Sequence, residues 1–424
     1  SCLRPMDQSA VYLDYNATTP LAPEVLDTVV ATLRDAWGNP SSSHHAGLKA
    51  RKCIIEARAS VAMMINATPQ DIVFTSGGTE SNNLVFTSIV TYFKEVMASN
   101  SDHVIPHVII TVLEHDSVAL TARTMARKGL IELTEVGAAS DSGSVPVQSV
   151  LAAVRPNTSL VSIMLANNET GVVQPVGEVV EGLKKCAEEK GGRIFVHTDA
   201  AQALGKIPVD VEALGVDYAT IVGHKFYGPR NGALYVRDLE QKGTPLHPLF
   251  HGGGQERGFR SGTENTAMMA GLGKAADLIV HNLALYQAHM ANVRDYLEQQ
   301  LENTFGDRVH FNGRFNTSKR IPNTSNFSIV GRNLKGNRIL STLERTLASV
   351  GAACHSHTEA RPSPVLLAIG VPPHVALNAL RVSVGRETSI EDIDVFIKDL
   401  TNAVQKLDSV GDSGSISVGL NQDH

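Results

Sequence analysis

Cysteine is scarce in this chain. Cys2, Cys53, Cys186 and Cys354 are scattered through 424 positions with no paired spacing, which argues against a disulfide framework. Uncharged apolar runs are short, and none approaches the roughly 18 residues of a membrane span. A basic excess is also lacking. With 37 Lys and Arg against 43 Asp and Glu, the formal net charge is −6, so neither nucleic acid nor an anionic membrane is an expected partner. The opening SCLRPMDQSAVYLDYN has no apolar run of the signal-peptide kind, and no internal repeat of fixed period is found. These absences lead to the expectation of a protein of the reducing cytosol. What is present is globular: 42% hydrophobic and 19% charged residues supply material for a sizeable core.

A rhythm recurs along the first two thirds of the chain. A short β-branched run is followed by a polar cluster and then by a helical stretch. Residues 72–75 lead into SGGTESNN, 108–112 into LEHDS, 160–165 into ANNETG, 194–198 into DAAQALGK and 218–222 into GHKFYGP. Such alternation predicts βαβ units around a largely parallel sheet, an α/β fold. Ligands bind beyond the carboxyl ends of such strands, so five clusters far apart in sequence are expected on one edge. Tyr286, Met290, Val293, Leu297 and Leu301 recur at steps of four, three, four and four, which predicts a long amphipathic helix. The expected organisation is a large domain over 25–274 and a smaller α+β domain over 1–24 and 275–407. A polar tail over 408–424 is expected to be disordered.

Several side chains in the clusters could carry chemistry. SGGTESNN places two glycines and Thr79 at a strand–helix junction, which suits either an ordinary helix cap or a phosphate. Asp199, leaving a buried strand, is costly unless it caps its helix or meets a cation such as a protonated ring nitrogen. Gln202 lies on the same helical face. Lys225 stands among Ile221, Val222, Phe226 and Tyr227, apolar neighbours that would lower its pKa and favour the nucleophilic amine. His115 can stack on a flat ring and move protons, and Asn168 can hydrogen-bond an oxygen. Cys354, in SVGAACHSHTEARPSP, reads as an accessible nucleophilic thiol on a loop. A metal cluster of CHSH type matches no common zinc spacing, and no metal is expected. Arg381, isolated in an alternating apolar run, pairs with a carboxylate of either the protein or a substrate.

Taken in order, SGGTE, HTDAAQ and GHK resemble the NifS-like family of cysteine desulfurases and selenocysteine lyases, which depends on pyridoxal 5′-phosphate. The resemblance runs from YLDYNATTP (12–20) to VSVGRET (382–388) and includes GNPSSSHHAG, NNETG and GGGQERGFRSGTEN. It implies the type I, aspartate-aminotransferase-like fold with a mostly parallel seven-stranded sheet in the large domain, and a homodimer. By the same resemblance Lys225 would hold the cofactor covalently and move protons at Cα, and Asp199 would face the ring nitrogen. Gln202 and Asn168 would lie on the ring-hydroxyl side, with His115 stacked on the ring. Gly78, Thr79 and His224 would hold the phosphate, with Thr263 of a second subunit. Arg381 would grip the substrate carboxylate, and Cys354 would meet sulfur or selenium.

Two departures from the desulfurase pattern stand out. Val222 replaces a common Ser before Gly-His-Lys, and Asp116 replaces a common Lys after the stacking His. A carboxylate at position 116 would disfavour a developing thiolate more than a selenolate, since the selenol is already ionised. The resemblance is therefore greatest to the selenocysteine lyase branch, which implies that L-selenocysteine is cleaved to L-alanine and reduced selenium, with delivery to a selenium-accepting protein as a further expectation. Cysteine desulfuration through a persulfide on Cys354 is the alternative.

Overall fold

The computed structural model describes residues 10–97, 105–190, 193–351 and 361–412. After a two-residue strand β1 (Val11–Tyr12) come β2 (Ile72–Thr75), β3 (His107–Thr111), β4 (Glu132–Val136), β5 (Thr158–Ser162), β6 (Phe195–Asp199), β7 (Tyr218–Val222) and β8 (Gly232–Val236). Strands β2 to β8 make one seven-stranded sheet in the order β2-β8-β7-β6-β5-β3-β4. The run from β7 to β4 pairs parallel, and β8 alone is antiparallel to its neighbours. Successive residues point to opposite faces. Ile109, Val161, Val196 and Ile221 pack on one side, while Val108, Leu160, Phe195 and Tyr218 pack on the other. Both faces are thus covered, and only the edge strand β4 is largely half-exposed. The expected fold is the observed one, and the turns after β2, β3, β5, β6 and β7 share one edge.

The remaining strands are β9 (Val309–Phe311), β10 (Thr324–Ile329), β11 (Thr346–Leu347) and β12 (Ala379–Ser383). β12, β10 and β9 form an antiparallel sheet, and β1 pairs with β11. Leu13, Leu297, Phe327, Leu380 and Phe396 share one apolar cluster here, so the N-terminal segment packs with residues more than 280 positions away. The bridge between Asp14 and Ser383 ties the same segment to β12.

The predicted amphipathic helix is Thr266–Phe305, with Met290, Val293, Leu297 and Leu301 buried. It begins well before the expected boundary at 274, which falls inside it. Its first part, through Leu272, Ala276 and Ile279, joins the core of the large sheet. Its second part joins the cluster of the small sheet. The last helix, Ile390–Asp412, continues past 407, and Asp408 pairs with Arg308 at 3.0 Å. The expected tail therefore starts at least five residues too early, and residues 413–424 lie outside the described residues. Among the described residues no helix is long and apolar enough to cross a membrane.

Gly273 sets how closely the long helix crosses helix His45–Met64, because a Cβ there would lie 2.4 Å from the Ala57 Cα. Backbone cannot swing aside as a side chain can, so crowding of about 2 kcal/mol outweighs the helix-propensity gain of about 1 kcal/mol. Gly273→Ala is expected to lower the thermal midpoint of unfolding, measured by circular dichroism.

Candidate active site

Ten residues singled out from the sequence line one cavity of about 750 Å³ at the carboxyl edge of the large sheet: Gly78, Thr79, His115, Asp116, Asn168, Asp199, Gln202, His224, Lys225 and Arg381. Thr263 does not line it. That residue is exposed on the loop before helix Thr266–Phe305. Cys354 lies outside the described residues, although Gly351 and Pro364, to either side of 352–360, both line the cavity.

Lys225 follows β7 in a single helical turn, Gly223–Lys225. Its Nζ donates to the carbonyl oxygens of Asn16, at 2.6 Å, and Ala17, at 2.9 Å. Burial, and then the charge of Arg381, lower its pKa to about 8, while Asp199 and Asp14 act in the opposite direction. The amine therefore gives up its proton far more readily than an ordinary lysine, although the protonated form still predominates near pH 7. Asp199 ends β6 and is buried. Its Oδ2 accepts from Asn82 Nδ2 at 2.9 Å and its Oδ1 from the Ala201 N–H at 3.0 Å.

Gln202 and Asn168 are placed by their backbones and neighbours. Gln202 Nε2 donates to Asn16 O at 3.0 Å, and its Oε1 accepts from Lys206 Nζ at 3.3 Å. Asn168 sits in a turn organised by Asn167, whose Oδ1 accepts from the N–H groups of Glu169 and Thr170. His115 caps helix Asp116–Arg127 and is itself exposed to the cavity.

At the opposite end, helix Gly78–Met97 presents its first turn to the cavity. The N–H groups of a first turn lack intrahelical acceptors and favour an anion. A Cβ on Gly78 would meet Val222 Cγ2 at 2.6 Å, so the absence of a side chain lets the helix start settle closely onto the end of β7. Val222, the departure noted in the sequence, packs beneath the helix start. His224 Nδ1 meets Thr18 Oγ1 at 3.0 Å, and burial lowers its pKa to about 4, so this ring is neutral.

Arg381 unites both readings made from the sequence. Its Nη2 donates to Asp14 Oδ1 at 2.7 Å and its Nη1 to Asn168 O at 2.9 Å. Its buried Nε has no partner among the described residues, and the residue lines the cavity, where its positive charge favours a carboxylate.

Residues 11–396 match the model of the aminotransferase class-V family. The chain belongs to this family. It is 52% identical to a selenocysteine lyase of Bos taurus over 95% of both chains, and 53% identical to one of Homo sapiens over 94% of this chain and 92% of the relative. A solved NifS-like protein superposes with a TM-score of 0.82 at 34% identity, covering 94% of this chain and all of the other.

The family uses pyridoxal 5′-phosphate, and the residues present fit it. The helix start at Gly78 suits a phosphate, the buried Asp199 suits a protonated ring nitrogen, and the readily deprotonated amine of Lys225 suits an aldehyde.

Four lining or neighbouring residues were given no role from the sequence: Asn16, Asn82, Glu114 and Lys206. Each sat inside a quoted motif, but its partners lie elsewhere in the chain. Glu114 is the sharpest case. Its Oε1 accepts from Thr111 Oγ1 at 2.7 Å and Met164 N at 3.0 Å, while the buried Oε2 has no partner among the described residues. Burial raises its pKa from 4.5 to about 8, so the folded protein binds this proton more tightly than the unfolded chain. The favourable contribution is complete below about pH 4.5 and is lost as the pH rises through about 8. Glu114→Gln, which keeps a neutral side chain of the same shape, is expected to gain stability over the wild type progressively between those limits. Urea denaturation across the pH series measures the difference.

Proposed function

We propose that this chain is a pyridoxal-phosphate-dependent lyase that converts L-selenocysteine to L-alanine and reduced selenium. Its relatives named selenocysteine lyase are 52–54% identical to it over nearly the whole chain. A relative named cysteine desulfurase IscS, from Dictyoglomus turgidum, is 40% identical. The observation that carries the chemistry is the Lys225 amine, held by two carbonyl oxygens in a cavity that also holds Asp199 and Arg381.

When bound, the cofactor supplies an electrophilic aldehyde and an electron-accepting pyridinium ring. Asp199 keeps the ring nitrogen protonated and Lys225 anchors the aldehyde. Arg381, whose guanidinium charge faces the cavity, binds the substrate carboxylate and so orients Cα toward Lys225. Once the substrate amine has taken its place, Lys225 Nζ is free to remove the proton from Cα. His115 covers the ring face and keeps water from it. Cys354 receives the selenium: its thiol and selenocysteine yield a sulfur-bound selenol and alanine, with no external reductant. Release as selenide then consumes a second thiol and leaves a disulfide. Asp116, at the cavity, adds negative charge that burdens a thiolate more than a selenolate. The supporting observation for the Cys354 role is that the residues to either side of its segment line the cavity.

A homodimer belongs to the same proposal, in which the exposed Thr263 reaches the phosphate of the neighbouring subunit. Cytosolic placement and a selenium-accepting protein complete it, the former supported by the unpaired spacing of the cysteines.

Purified wild type is expected to show a visible absorption band that changes on adding selenocysteine, with alanine formed. Lys225→Ala is expected to lose the covalent band and at least about 1,000-fold in alanine formation, because nucleophile and base are removed together. Comparable turnover of cysteine and selenocysteine would favour the desulfurase instead. No alanine from either would refute both.

A further inference from the structure

A chain of buried polar groups runs behind Asp199 and has no counterpart in the chemistry assigned so far. Asp199 Oδ2 accepts from Asn82 Nδ2 at 2.9 Å. Because an ionised carboxylate offers no hydrogen, the Asn82 amide must turn its NH₂ toward Asp199 and its Oδ1 away. That Oδ1 accepts from the Thr220 hydroxyl at 2.7 Å. Having given its only hydrogen, Thr220 Oγ1 accepts from His197 Nε2 at 3.0 Å. His197 Nδ1 is then unprotonated and accepts from Ser162 Oγ at 2.8 Å. Burial holds His197 neutral, with its pKa lowered to about 4. Ser162, Asn82, His197 and Thr220 are completely buried, and every hydrogen in the chain has one direction.

The second hydrogen of the same amide goes elsewhere. Asn82 Nδ2 donates to Ser117 Oγ at 2.8 Å, so the Ser117 hydroxyl donates onward to His115 Nδ1 at 2.8 Å. The Ser117 N–H adds a second donor to that nitrogen at 3.1 Å. Nδ1 of His115 is thus an acceptor, and the imidazole carries its hydrogen on Nε2.

We infer that Asn82 is a positioning residue that fixes the Asp199 carboxylate and the His115 tautomer through one amide, and that Thr220 and His197 prevent that amide from flipping. The inference rests on the reading that Asp199 faces the cofactor's ring nitrogen and His115 its face. A flipped amide would press Oδ1 against the carboxylate and withdraw both donors at once. A methyl group in place of the Thr220 hydroxyl removes the donor that holds Oδ1.

The test uses Thr220→Val, Thr220→Ser, Ser117→Ala and Asn82→Asp beside an Asp199→Asn control. For each, the cofactor dissociation constant is measured by titrating the apoprotein, together with the visible band of the bound cofactor, kcat and KM. Thr220→Val is expected to weaken cofactor binding about tenfold and to move the band, as for loss of one hydrogen bond to a charged group. Thr220→Ser, which keeps the hydroxyl, is expected to restore both to within about twofold. Ser117→Ala breaks only the His115 branch and is expected to lower kcat about threefold with cofactor affinity and KM unchanged, since the backbone N–H still holds Nδ1. Asn82→Asp, which replaces the donor by an acceptor at constant shape, is expected to weaken cofactor binding at least as much as Thr220→Val and decides the matter should that variant not fold. Wild-type affinity and band in Thr220→Val or Asn82→Asp, with both altered in Asp199→Asn, would overturn the inference alone. An Asp199→Asn protein that binds cofactor like the wild type would overturn the reading of the site and the inference with it.

Discussion

The grip of the 16–17 backbone on the Lys225 amine is the contact on which the site depends. Two carbonyl oxygens reach Nζ at 2.6 and 2.9 Å, and Asn16 O also receives Gln202. Those carbonyls arrive from the N-terminal segment, which packs with the small sheet through Leu13 and bridges β12 at Asp14. Asn16 is fixed further by Thr324 and Asn323, its Nδ2 donating at 2.8 Å and its Oδ1 accepting at 3.0 Å. The amine belongs to the large sheet and its acceptors to the small one. Any slip between the two would therefore be felt first at the reactive nitrogen, where a displacement of about 1 Å costs heavily in rate.

The same juxtaposition explains how the cavity tolerates its cations. Lys206 is buried, with its amine donating to Gln202 Oε1 and to the carbonyl oxygen of Lys225. Burial, then Lys225 and Arg381, push its pKa down to about 7. Three basic groups thus share a small volume with Asp14 and Asp199, and two of the three have lowered pKa values. Neutral amines can still donate hydrogen bonds, so the network survives deprotonation while the mutual repulsion is relieved.

The sheet, its direction and the five clusters at its carboxyl edge were legible because each is written locally. A β-branched run, a glycine turn and a helix cap involve residues a few positions apart. Gly78, Asp199 and Lys225 could be marked for the same reason, each standing at the end of such a run. Asn82 and Glu114 were in view but carried no local signal. Asn82 bonds to Asp199 and Thr220, 117 and 138 positions away, and the lack of a partner for Glu114 Oε2 among the described residues is a property of the folded packing alone. Asn16 likewise acts through its carbonyl, which any residue type possesses, so its role is invisible in its identity. The expected boundary at 274 falls inside a helix for a related reason. Periodicity detects a helix but does not say which sheet each turn of it serves, and Thr266–Phe305 serves both.

Two carboxyl groups of the cavity are best understood by what they would do if ionised. Glu114 senses the charge of Asp199 as a minor influence beside its own burial. Glu169 is raised mainly by burial, although the Ser363 hydroxyl donates to it at 2.6 Å and Arg381 acts to lower it. An anion at Glu114 would compete with Asp199 for a protonated ring nitrogen, and one at Glu169 would compete with a substrate carboxylate for Arg381. Desolvation disfavours both anions, and a protonated carboxyl keeps its hydrogen-bonding capacity, since it can donate as well as accept. Negative charge in the cavity is thereby concentrated where a partner cation waits. The Glu114 carboxyl, with its pKa raised to about 8, is consequently as much a part of the site's electrostatics as Asp199, though its contribution lies in staying neutral.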